Sequence, residues 1–71
     1  MKQELVFFRW DLEADWIGPI VDIQITPDKI VVNNGYNTYT YLKDKEKNLW
    51  HEDGKKSHYF DSYVIREMNG E

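Results

Sequence analysis

With 71 residues the chain has room for one domain, 1–71. It has no cysteine, and its net charge is −4, from nine Lys or Arg against thirteen Asp or Glu. That excludes a disulfide scaffold and a cysteine nucleophile, and it argues against a surface that attracts phosphate throughout.

Small domains without disulfides need other support, and here the candidate is aromatic: three Trp, five Tyr and three Phe make up 15% of the residues. The longest apolar run near the N-terminus, Leu5-Val6-Phe7-Phe8, falls short of the about 7–15 residues of a signal peptide and the about 20 of a membrane span. The expectation is a cytoplasmic protein with no membrane contact.

Short β-rich runs alternate with turn signals along the chain. This spacing predicts an all-β fold, a small antiparallel meander or barrel-like sheet of about five to six short strands. The first run, Glu4 to Trp10, is apolar on both alternating sets, as in a strand covered on both faces. Next, Asp11-Leu12-Glu13-Ala14-Asp15-Trp16 offers an N-cap and early acids before Gly18-Pro19, which predicts one helical turn near 11–17.

From Pro19 to Thr26, Val21, Ile23 and Ile25 alternate with polar residues. Thr26-Pro27-Asp28-Lys29 reads as a turn, and Asn33-Asn34-Gly35-Tyr36 as a hairpin signal. Closing the first turn on Ile25 opposite Ile30 sets Ile23 against Val32. Closing the second on Val32 opposite Asn37 sets Ile30 against Tyr39. Both put Ile23, Ile25, Ile30, Val32, Tyr39 and Tyr41 on one face.

Lys43 to Asn48 reads as a charged loop, and strands follow at Leu49–Glu52 and Ser57–Phe60. Pairing Tyr41 with Trp50, and Trp50 with Tyr59, would bring His58 opposite His51. The last segment is ambiguous. Phe60, Val64 and Met68 recur at helical spacing between Asp61 and Asn69-Gly70, which favours a short helix near 61–69, yet Tyr63-Val64-Ile65 suits a strand.

Candidate sites are sparse. Asp11, Glu13 and Asp15 mimic the start of a calcium loop, but Trp16 stands where the sharp turn needs glycine. His51 and His58 with Glu52 or Asp53 could approach a zinc set, but a surface histidine pair is the better reading. The glycines are isolated, and Ser57 and Ser62 lack a nucleophile context. No catalytic residue, metal or cofactor is therefore assigned, and an enzyme is not expected.

The remaining feature is aromatic. Phe8, Trp10, Trp16, Tyr36, His51 and His58 form the candidate interaction surface. Phe7, Phe8, Trp10, Leu12, Trp16 and Ile17 crowd one short N-terminal stretch, with too much apolar area for all of them to enter one small core. The expected function is a non-catalytic protein-interaction module, a regulator, inhibitor or assembly component, bound to another protein or to a second copy of itself. The alternative is a single-stranded nucleic-acid module using Tyr36, Tyr39, Tyr41, Trp50 and Tyr59 with Lys43, Lys45, Lys47, Lys55 and Lys56.

Overall fold

Seven strands account for the regular structure: β1 (Gln3–Phe8), β2 (Ala14–Ile17), β3 (Asp22–Thr26), β4 (Lys29–Asn33), β5 (Thr38–Asp44), β6 (Leu49–Glu52) and β7 (Ser62–Glu67). The computed structural model describes residues 2–56 and 58–68. All pairings are antiparallel, in a three-stranded sheet ordered β2-β1-β7 and a four-stranded sheet ordered β3-β4-β5-β6. Among the described residues no helix is long and apolar enough to cross a membrane.

Two corners pass hydrogen bonding from one sheet to the other. Ile20 N donates to Gln3 O and Val21 N to Asn33 O, each at 2.8 Å, so adjacent residues bond to different sheets. Phe60 exchanges bonds with Trp50 (2.8 and 2.9 Å), and Asp61 N then donates to Phe8 O at 2.8 Å. Strands that switch sheets in this way enclose a single core, which gives the barrel-like form.

Phe7 is at the centre of that core and is fully buried. Its ring stacks on Tyr41 at 4.1 Å and meets Phe60 at 5.4 Å, Tyr63 at 5.8 Å and Trp50 at 6.4 Å. Leu5, Ile17, Ile30 and Val32 complete the buried cluster. The two apolar sets of β1 have different destinations: Leu5 and Phe7 enter the core, whereas Val6 lies outside that cluster and is still only 1% exposed. Its cross-strand neighbours Trp16 and Val64 flank it on the outer face.

The first central hairpin has the expected register, Ile25 with Ile30 and Ile23 with Val32. The second differs by two residues, Val32 facing Tyr39 and Ile30 facing Tyr41. The cause is the loop, which occupies 34–37 instead of 33–36. Asn34 Oδ1 accepts from Tyr36 N (2.9 Å) and Asn37 N (2.8 Å), Asn33 Oδ1 accepts from Gly35 N (2.7 Å), and Gly35 takes φ 93°. A shift of two preserves the face, so the inward set holds, with Ile25 left 44% exposed at the end of edge strand β3.

The same even shift recurs at β5–β6, where Trp50 faces Lys43 instead of Tyr41. The strand runs on to Asp44, whose carboxylate accepts from Glu46 N (3.0 Å) and Lys47 N (3.2 Å) to start the turn. Those backbone donors, Lys47's first, hold the Asp44 carboxyl below its ordinary range.

Four further expectations are corrected. Trp50 bridges Phe60, not Tyr59, and this slip of one residue sends Phe60 inward and takes His58 away from His51. Phe60 makes only that isolated bridge, so no strand forms at its expected position, and Ser57 lies outside the described residues. The segment near 11–17 forms no helical turn: Arg9 N donates to Glu13 O at 2.8 Å, closing a hairpin whose return strand is β2. The segment near 61–69 is strand β7, paired with β1 from Phe8↔Ser62 to Gln3↔Glu67. A free β1 edge and the Tyr63 contacts with Phe7 and Trp50 outweigh the helical spacing. The expected stop at Asn69-Gly70 lies outside the described residues.

Gly18 lies where the chain leaves β2 for the first corner. A β-carbon there would stand 2.9 Å from Glu4 Cβ and 3.3 Å from Glu4 Cα. Backbone of the central strand cannot yield as a flexible side chain does, so Gly18→Ala is expected to cost about 1–3 kcal/mol in urea unfolding. An unchanged midpoint would show that the corner moves aside freely.

Candidate interaction site

The hairpin joining β1 to β2 turns through Trp10, Asp11 and Leu12. Leu12 N donates to Arg9 O at 3.1 Å, and Leu12 itself takes φ 71°. A three-residue hairpin loop requires a left-handed residue at this place, normally glycine or asparagine. Leucine there costs roughly 1–2 kcal/mol of steric strain. Packing returns nothing, because Leu12 is 96% exposed, and the neighbouring Trp10 is 77% exposed. Arg9 fixes the tip from beneath, its guanidinium 2.9 Å from Asp11 and 3.5 Å from Glu13. Asp11 and Glu13 are thus engaged in an ion-paired loop and not in a calcium loop.

Below the tip, the outer face of the three-stranded sheet continues the apolar surface. Trp16, Val6 and Val64 form one straight cross-strand row, with Trp16 65% and Val64 41% exposed at its flanks. Phe8, one row nearer the tip, is half-buried between Ala14 and Ser62. One row further away, the mostly buried Glu4 accepts a 2.8 Å hydrogen bond from Arg66 Nε.

The remaining sequence candidates lie elsewhere. Tyr36 is 88% exposed in the Asn34–Asn37 loop. His51 is buried on the outer face of the four-stranded sheet, where Nδ1 donates to Glu52 O at 2.9 Å and the ring meets Tyr59 edge-on at 5.6 Å. Lys47 Nζ covers the other ring, 4.3 Å from the Tyr59 centroid. His58 is exposed beside a hollow of about 170 Å³ that Asp15, Glu52, Lys55 and Phe60 also line. Glu52 is already engaged there by Lys55 at 3.6 Å. Among the described residues no three His, Asp or Glu side chains gather as a metal site.

Of the Tyr and Trp side chains considered as a stacking platform, Tyr41 and Trp50 are core, and Tyr39 and Tyr59 are half-buried. That leaves Tyr36 as the one fully exposed ring of that set. Lys43 lies 5.4 Å over Trp50 and so covers a core ring.

Sequence reasoning placed Phe8, Trp10 and Trp16 together, and the fold gathers them on one hairpin and its outer face. It counted Leu12 among the crowded apolar residues but gave neither it nor Val64 a place on the contact surface, because both were assigned to helices. The available signal was the absence of glycine or asparagine from a tight hairpin loop. Comparison of the chain with protein-family models, with curated proteins and with solved structures finds no match.

Proposed function

We propose that the chain is a small non-catalytic protein-interaction module of the cytoplasm, acting as a regulator, inhibitor or assembly component through its first hairpin. One observation carries the reading: Leu12 accepts backbone strain in order to stand almost wholly in water beside an exposed tryptophan. A loop selected for folding alone would hold asparagine or glycine, and strain without local return is a mark of function. Tryptophan is among the residues that dominate the energetics of protein interfaces, and Leu12 adds exposed apolar area beside Trp10. Arg9 pairs with both Asp11 and Glu13 and offsets one of their two charges, so a single net negative charge opposes docking at the tip.

The test uses a photo-crosslinking amino acid in place of Trp10 in the producing cell. A protein adduct is expected from that position and none from Glu46, in an exposed loop elsewhere. Leu12→Asn is expected to abolish the adduct while raising stability by about 1 kcal/mol, because it relieves the left-handed strain. Silence from both Trp10 and Trp16, or a Leu12→Asn chain less stable than the parent, would contradict the reading. Tight oligonucleotide binding that weakens steeply with salt would point instead to nucleic acid.

A further inference from the structure

We infer that the outer face of the three-stranded sheet is a self-association surface, and that its occupant is a second copy of this chain. The inference rests on the contact-module reading and gives its partner an identity.

Charge supplies the first argument. Asp, Glu, Lys and Arg make up 31% of the chain, yet between the Glu4 row and the Phe8 row this face carries only Glu4 and Arg66, joined to each other at 2.8 Å. Covering the face therefore strands no uncompensated charge, which is the condition for burying it cheaply.

Shape is the second argument. The central row runs from a large ring, Trp16, across the flush Val6, to the smaller Val64. A two-fold axis parallel to β1 and lying over Val6 reverses this row. It lays Trp16 of one copy against Val64 of the other, and the same contact forms again across the axis. Large against small at both ends is the self-complementarity that an isologous interface requires.

Area sets the strength. Three strands about 4.8 Å apart and five rows about 3.3 Å apart make a small platform, well under the roughly 800 Å² that a standard interface takes from each partner. A dimer built on it is reversible, populated at high and not at low protein concentration. Each copy carries −4, so added salt screens their repulsion and strengthens the dimer. Binding to phosphate would respond in the opposite sense.

Light scattering and sedimentation of the purified chain, from micromolar to millimolar, provide the test. Twice the chain mass is expected at the upper end, with the dimer fraction rising as salt is added. Trp16→Lys and Val64→Lys are each expected to give the single-chain mass throughout, with circular dichroism unchanged, while Tyr36→Lys behaves as the parent. Val64→Lys keeps the test open where Trp16→Lys fails to fold. A parent chain of single mass at every concentration overturns the inference, as does a dimer that both face variants leave intact. Either result leaves the contact-module reading standing, because that reading is decided separately, by cross-linking from the hairpin and by the stability of Leu12→Asn.

Discussion

Phe7→Ala is expected to remove about half of the stability of the fold. Truncating a buried phenylalanine costs about 3–5 kcal/mol, a transfer loss plus the cavity left behind. A chain of this length has a total stability of roughly 4–10 kcal/mol. Collapse of the surroundings cannot recover much, because Phe7 is held from both sheets: Tyr41 and Trp50 on one side, Tyr63 from the neighbouring strand, and Phe60 from the corner between them. Phe8→Ala is the matched control. It removes the same ring one position along the same strand, but from the half-buried outer face. The urea midpoint is expected to move little for Phe8→Ala and far toward lower urea for Phe7→Ala. Equal losses would mean that the two faces of β1 are not divided as described.

The second large effect appears at alkaline pH. Tyr41 is only 3% exposed, and its phenol is raised above its ordinary value of 10.0, first by burial and then by the charges of Glu52 and Asp15. Below about pH 10 the phenol is protonated in both folded and unfolded chains, and its contribution to stability is fully present. Above that value the unfolded chain releases the proton while the folded chain keeps it. Stability then falls, by up to about 1.4 kcal/mol for each pH unit. Tyr41→Phe keeps the ring that stacks on Phe7 and removes the ionisable group. The difference in unfolding free energy between parent and variant is expected to be flat to about pH 10 and then to grow in the variant's favour. A difference that stays constant to pH 12 would contradict this.

Both effects follow from a core whose rings gather around Phe7, and the sequence disclosed that core unevenly. The inward set of β3, β4 and β5 was legible because the face of a strand residue depends only on parity. Two loops placed the register two residues from its expected position, and the faces survived. At Trp50 the difference was a single residue, so Phe60 took the inward place intended for Tyr59. The connection there begins with the turn signal Asp53-Gly54, where Gly54 takes φ 83°, but nothing in the sequence after it fixes the length of the connection to Tyr59.

The two segments assigned to helices failed for a shared reason. Asp11, Glu13 and Asp15 look like the acids of a helix N-terminus, and Phe60, Val64 and Met68 look like a helix face. Both are local patterns. What decides them is β1, a strand with two bonding edges that only β2 and β7 can fill. The pairing of β7 with β1 is long-range and leaves no trace in a short window of sequence, whereas the β1–β2 hairpin is local but lacks the glycine or asparagine that would mark its turn; in both, tertiary context overrides weak propensity. The candidate surface was half visible for the same reason: an excess of apolar side chains in the first hairpin could be counted, but Leu12 and Val64 became surface residues only once the strands were in place.

Fluorine NMR on the 5-fluorotryptophan-labelled chain, at a concentration too low for self-association and with a soluble paramagnetic agent, tests the division between core and contact surface most directly. Trp10 and Trp16 should broaden strongly and Trp50 should remain sharp. A protected Trp10 would mean that the first hairpin is packed into the core and offers no docking surface, and a Trp50 that broadens with the other two would mean that the core is not closed as described.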